Sequence, residues 1–240
     1  MAEIAIEIDA AGRSTREINA AIRASIAEGR TDIKVLNPGA RHNLAVAILN
    51  GVRVRIAGSA GYYCGGLGDG ASIEIEGSAG WGLAESMLSG TVRVHGNAGS
   101  GTAAALRNGT VIVHGDAAAR LGVSMKGGEV IVAGNCGYMA GFMAQKGRLI
   151  VCGDTGEAFA DSMYATVCYV GGTVAGLGTD AVLSPMDAEE IESLEATLSA
   201  HLPAALRRTK PAAADFKKVV AGRKLWNFDK REWRTWQEAL

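Results

Sequence analysis

Pairs of apolar residues two positions apart recur along most of the chain at one interval. They read Val54 and Ile56, Ile73 and Ile75, Val92 and Val94, Val111 and Val113, Val130 and Val132, Leu149 and Val151, Cys168 and Val170, each pair nineteen residues after the last. The positions between them, Arg55, Glu74, Arg93 and Tyr169 among them, are more often polar or mixed. Alternation with period two and β-branched residues on one face predicts a short strand in each repeat. Two residues after each pair stands a glycine, and with Gly39 one interval earlier the series is Gly39, Gly58, Gly77, Gly96, Gly115, Gly134, Gly153 and Gly172. An unbroken interval of this kind is the mark of a coil stacked along an axis.

Three and seven residues after the repeat glycine, six of the coils carry only Gly or Ala, from Gly61 and Gly65 to Gly156 and Ala160. Such columns are expected where the chain turns with φ > 0 or where stacked backbones leave no room for a larger side chain. A second apolar set, Leu67, Met87, Leu106, Met125 and Met163, reads as another inward face. Strand, corner, second extended run and closing corner fit into nineteen residues. The expected fold is all-β, a single-stranded right-handed parallel β-helix of about eight coils, on the order of 38 Å long at ~4.8 Å per coil. The residue after each glycine is Ser59, Ser78, Asn97, Asp116, Asn135, Asp154 or Thr173, which predicts a ladder of side chains bonding turn backbone.

The ends depart from the repeat and divide the chain into three parts: 1–32, 33–178 and 179–240. In the first, an alternating strand (Ile4 to Ile8) precedes Ser14-Thr15-Arg16-Glu17, a capping box for an amphipathic helix carrying Ile18, Ile22 and Ile26 and stopped by Gly29. This β-α unit is expected to cap the stack. In the third, Ser184-Pro185-Met186-Asp187 predicts a helix start with Pro at its first position, running through Ile191, Leu194 and Leu198 toward Pro203. The tail beyond holds Trp226, Phe228, Trp233 and Trp236. That aromatic surface needs cover, from the solenoid itself or from a partner chain, and the four residues form a candidate partner interface.

Composition agrees with a thin β core. Of 240 residues, 48% are apolar but only 5% aromatic, and 33 are glycine. A net charge of −1 gives no electrostatic case for nucleic acid or an anionic membrane. No apolar run approaches the ~18 residues of a spanning helix and the amino terminus lacks a signal pattern, so a cytoplasmic location is expected. Cys64, Cys136, Cys152 and Cys168 show no CxxC spacing and read as buried apolar residues.

Candidate chemistry is thin once repeat positions are discounted. Gly66-Leu67-Gly68-Asp69-Gly70 lacks the strand and helix context of a dinucleotide loop and the Lys-Ser/Thr of a phosphate loop. His95 and His114 hold one position in consecutive coils and should stack ~5 Å apart, with no third ligand in view. Glu74 and Glu76 face Arg93 and His95 of the next coil, which reads as charge complementarity between strands rather than a catalytic carboxylate pair. No residue of this chain is assigned a catalytic, cofactor-binding or metal-ligating role.

The motif G-x-x-G-x-x-x-G/A, seen at Gly58/Gly61/Gly65, Gly77/Gly80/Ala84 and Gly134/Gly137/Gly141, resembles the GXGXG β-helix domain of glutamate synthase. With its amino-terminal cap and aromatic tail the chain is most similar to the β-helix subunit family of N-methylglutamate synthase, which forms N-methylglutamate from methylamine and glutamate. The resemblance covers about residues 33–178. It implies a division of labour in which a class II amidotransferase-like chain releases ammonia with an amino-terminal Cys. An FMN-binding glutamate-synthase-like chain completes the reaction, and FMN and an iron–sulfur cluster belong to that partner. The β-helix is then a scaffold. Removal of Met1 here would expose Ala2, which is no nucleophile. Three other readings remain open: the β-helix subunit of formylmethanofuran dehydrogenase, which shares the motif, an independent β-helix enzyme, and a self-assembling structural protein.

Overall fold

The computed structural model describes residues 5–207 and 212–222. After strand β1 (Ile6–Asp9), helix α1 (Thr15–Ala27) and strand β2 (Asp32–Leu36), the repeat unfolds as β3 (Arg53–Ile56), β4 (Ser72–Ile75), β5 (Thr91–Val94), β6 (Thr110–Val113), β7 (Glu129–Val132), β8 (Lys146–Val151) and β9 (Ala165–Val170). Strand β10 (Ala181–Ser184), helix α2 (Ala188–His201) and strand β11 (Lys217–Ala221) complete the described elements. β1 to β9 pair in sequence order and in parallel, and β11 and then β10 add antiparallel strands at the carboxy-terminal end. The chain is a parallel β-helix with a β-α start, as the interval requires.

Register is exact to the repeat: Val54 faces Ile73, Ile73 faces Val92, and Val92 faces Val111. A second line of parallel bridges joins Ala60, Ala79, Ala98, Ala117, Cys136, Thr155 and Val174, two residues after each glycine. These columns, together with Leu83, Leu121 and Phe159 and with Met87, Leu106, Met125 and Met163, fill the interior. Leu67 is a correction to the expected inward face. It is 54% exposed, because the inward position of its coil is taken by Gly68, one residue on.

From Gly77 onward the repeat glycine owes its identity to the polar ladder beside it. Asn135 N donates to Asp116 Oδ1 at 2.8 Å, Asp154 N to Asn135 Oδ1 at 2.9 Å, and the same bond runs down to Ser78 N on Ser59 Oγ at 3.1 Å. Each accepting side chain lies over the glycine of the following coil. A Cβ on Gly134 would stand 2.2 Å from Asp116 Oδ1, which no real Cβ tolerates. The two later small-residue columns have different causes. Gly137 is a close approach, with its Cβ site 2.8 Å from Ala119 N. The other column is a turn with positive φ, where Gly122 (φ +64) and Ala103 (φ 58) both serve.

The first coil has no preceding coil to bond, and α1 substitutes for it. Ser14 and Glu17 close the expected capping box, and Ile18, Asn19 and Ile22 are buried. Asn19 Nδ2 donates to Asn43 O at 2.7 Å, while its Oδ1 accepts from Ala45 N at 2.9 Å. One side-chain amide thus supplies the donor and acceptor that a coil backbone would have offered. At the other end α2 begins later than its sequence suggests. Asp187, not Ser184, is the N-cap and forms a capping box with Glu190, and Pro185 precedes the helix. Ser184 is instead the last residue of β10, paired with Lys218. The aromatic tail residues Trp226, Phe228, Trp233 and Trp236 lie outside the described residues.

Candidate functional site

The outward face of the sheet divides the molecule. Between the inward residues, β6 to β9 present Ile112, Ile131, Ile150 and Tyr169, and these are buried under Leu194, Leu198 and Leu202 of the α2 segment with Phe216. β3 to β5 present Arg55, Glu74 and Arg93 instead, each partly exposed. Across this open part runs a chain of polar contacts. Arg53 donates to Glu74 Oε2 at 2.9 Å, and Glu74 Oε1 lies 3.0 Å from His95 Nε2. Arg55 is paired with Asp32 at 3.0 Å. The expected complementarity is present, but its partners are diagonal: Glu74 takes Arg53 and His95 rather than Arg93. Diagonal neighbours ~7–8 Å apart are within reach of an arginine.

His95 and His114 do stack, with ring centroids 4.9 Å apart and planes tilted by 46°. Arg93 Nη1 lies 3.1 Å from His114 Nε2 and 2.8 Å from His201 O at the end of α2. Arginine can only donate, so His114 Nε2 must accept and its proton sits on Nδ1. Burial above all, with Arg93 and His95 adding, pushes the His114 pKa down to about 4. Glu74 is held below the usual carboxylate range by the hydrogen bond from Arg53 first, aided by His95. The pair is therefore a neutral imidazole with its lone pair engaged and a carboxylate with both oxygens engaged. A shallow cavity of about 360 Å3 beside them is lined by Arg53, Ser72, Ile73, Glu74, Thr91 and Arg93. This arrangement fastens α2 to the sheet. It does not present an activated base to the cavity.

The cysteines behave as apolar residues. All four are buried thiols, and burial pushes those of Cys64, Cys136 and Cys152 up to about 12. Among the described residues no group of three or more His, Cys, Asp or Glu is placed to hold a metal ion, and no helix is long and apolar enough to cross a membrane.

A different surface carries the exposed apolar groups. Four residues after the repeat glycine, Tyr62 and Trp81 stack at 5.1 Å with an 11° angle, and His42 stacks on Tyr62 at 4.3 Å. Tyr62 N donates to His42 Nδ1 at 2.8 Å, which fixes that ring. Trp81 is 58% exposed, and Leu49, Tyr63, Leu67 and Leu88 are exposed on the same early coils; on later coils Tyr138, Met143 and Tyr164 are exposed. Sequence reasoning placed the candidate interface in the tail and missed these corners. The signal in the sequence is the nineteen-residue column Tyr62, Trp81, Tyr138, which is interrupted by Ser100 and Ala119 and so does not read as a uniform apolar column. Of the repeat glycines, Gly77, Gly96, Gly115, Gly134, Gly153 and Gly172 stand at the ladder, whereas the Cβ site of Gly58 meets Pro38 and that of Gly39 meets Arg41.

The chain matches no known family model and no curated protein sequence. In fold it is similar to a chain of the formyltransferase/hydrolase complex FhcABCD from Methylorubrum extorquens, solved in complex with methylofuran. The TM-score is 0.61 with 20% sequence identity, covering 82% of this chain and 85% of that one, a likeness of fold.

Proposed function

We propose that this chain is a non-catalytic scaffold subunit of a multi-chain enzyme of the glutamate-synthase type. The observation that carries this reading is the row of exposed aromatic and aliphatic side chains on the solenoid corners, Tyr62, Tyr63, Leu67 and Trp81 foremost. A contiguous apolar surface of this kind marks a place for another chain. The engaged state of Glu74 and His114 supports the same reading, since neither is free to move a proton for a substrate. The finer form is the β-helix subunit of N-methylglutamate synthase. Its partners would be an amidotransferase-like chain and an FMN-binding chain, with FMN and the iron–sulfur cluster held by the latter.

A second reading is favoured by the fold likeness to a chain of a formyltransferase/hydrolase complex. It makes this chain the β-helix subunit of a formylmethanofuran-dehydrogenase-related assembly. Native affinity purification of the tagged chain from its own cells separates the two. Recovery in fixed ratio of an amidotransferase with an amino-terminal Cys and an FMN chain supports the first. Recovery of formyltransferase, hydrolase or molybdenum- or tungsten-enzyme chains supports the second. A chain that purifies alone, with an activity that Glu74→Gln or His114→Gln abolishes, sinks the scaffold proposal.

A further inference from the structure

The corner face is not uniform along the solenoid. Backbone bonds align its columns: Tyr63 N to Trp81 O at 2.7 Å, Gly82 N to Ser100 O at 2.9 Å, Gly101 N to Ala119 O at 3.0 Å, and Arg120 N to Tyr138 O at 2.8 Å. The column reads Trp81, Ser100, Ala119, Tyr138, so two small residues lie between two large rings. Five residues farther along each coil, Ala105 and Ser124 lie between Ser86 and Met143, joined by Ser86 N to Ala104 O, Ala105 N to Val123 O and Ser124 N to Phe142 O. The result is a trough across the coils that begin at Gly96 and Gly115. Trp81 (58% exposed) and Leu88 (43%) wall one side, Tyr138 (50%) and Met143 (39%) the other. Three coil steps of ~4.8 Å separate the Trp81 and Tyr138 backbones, about 14 Å. An α-helix with its side chains is ~10–12 Å across.

Charge gives the trough a sign. Residues 99–108 and 118–127 contain Arg107, Arg120 and Lys126 and no Asp or Glu. All three cations are exposed. Arg107 and Lys126 stand on adjacent coils at one end of the trough and Arg120 at the other. On the sheet face the chain pairs its own cations, Arg53 with Glu74, Arg55 with Asp32 and Arg148 with Glu129. Among the described residues Arg107, Arg120 and Lys126 have no such ion pair. Walls that are mostly apolar, with the partly exposed Glu85 between Trp81 and Leu88, a floor of small side chains and unpaired positive charge at both ends complement one shape.

We infer that this trough seats an acidic amphipathic helix of a partner chain, laid across the solenoid axis with its apolar stripe on the Ser100, Ala105, Ala119 and Ser124 floor. The inference rests on the scaffold reading and names the chemistry of the partner at that face. Steering by opposite charge sets the register and speeds encounter, while the apolar walls hold the helix once seated.

Site-specific photocrosslinking tests it in the full chain within its own cells. A benzoylphenylalanine at Ser124, on the floor, is expected to crosslink to a single net-acidic peptide of another protein with apolar residues at helical spacing. The same probe at Ser78, on the polar ladder, is expected not to reach that peptide. Crosslinks at Ser124 only to a second copy of this chain, to a neutral or basic peptide, or to nothing would overturn the inference. The double variant Arg107→Glu, Lys126→Glu provides a second readout, since both side chains are exposed and its melting temperature should match the parent. Retention of the co-purifying partner at low salt should fall about tenfold or more, and the parent's own retention should weaken as salt rises. If the parent chain brings down no partner, the scaffold proposal fails. If partners are recovered equally by parent and charge-reversed chains, the trough alone is wrong.

Discussion

The first coils and the last share one backbone and one inner face yet meet the solvent side of the sheet in opposite ways. Outward of β3, β4 and β5 stand Arg55, Glu74 and Arg93, which are partly exposed and pair with other charged or polar groups. Outward of β6, β7 and β8 stand Ile112, Ile131 and Ile150, each fully buried beneath α2. The boundary is a set of contacts rather than a loop: Arg93 bridges His114 and the terminal carbonyl of α2 at His201. A cation at a helix carboxy terminus is favourably placed against the helix dipole. The lesson is that the coil is indifferent to its outward residue. The inner pattern makes the solenoid, and the outward column decides where an appendage can lie.

The hardest blow to the covered half should come from Ile131→Asp, which puts a carboxylate between sheet and helix with no partner. A loss of about 3–5 kcal/mol is expected, read as a shifted urea midpoint, whereas the matching open-half change Arg55→Asp should do far less. Equal effects would erase the distinction. Gly137→Val and Gly80→Val probe what the halves share. Their Cβ sites lie 2.8 Å from Ala119 N and 2.6 Å from the Tyr62 ring, so each should destabilise by ~1–3 kcal/mol or more, in both halves alike. An unchanged melting temperature for either would refute the close-stacking account of that column.

At the boundary the effect depends on pH. His114 has a pKa of about 4 in the fold against an ordinary 6.5. As pH falls the unfolded chain takes up this proton first, so the contribution is fully kept above 6.5 and lost between 6.5 and 4. The site is partly open and screened, so the loss should be on the order of 1–2 kcal/mol. Protonation at Nε2 would also set the imidazole against Arg93 and loosen the end of α2. His114→Gln, which keeps an acceptor, should flatten the melting-temperature profile over that window; an unaltered slope would place the titration elsewhere. The smallest change is expected from Arg53→Ala in the open half, under about 1 kcal/mol by thermal unfolding, because its pair with Glu74 is exposed.

Much of this was legible in the residues. The nineteen-residue interval, the inward pairs, the polar ladder and the Ser14 capping box all stand where their spacing puts them, because each depends on neighbours one coil or one helical turn away. The covered half was also written in the chain, as the uninterrupted runs Val111-Ile112-Val113, Val130-Ile131-Val132 and Leu149-Ile150-Val151. An unbroken apolar strand signals burial on both faces, a signal lost when the outward positions are read as one mixed column. Leu67 was misplaced by a single residue, since an apolar side chain beside a corner can face either way and only the turn decides.

Other features had no local signature. Asn19 looks like an ordinary helix residue until the helix is laid on the open end of the stack, where its amide replaces a missing coil. The landing of α2 on β6 to β9, the Arg93 bridge over 108 positions of sequence and the return of β11 against β9 belong to the same class. So does the trough between Trp81 and Tyr138, which exists because two small residues fall between two rings in one column. The sequence by itself determined the coil, its period and its inner face, because period-two burial and close stacking act between residues at a constant offset. Only the tertiary structure decided which outer surface is covered, which charges find partners and which face is left for another chain, because those contacts join segments whose separation no periodicity encodes.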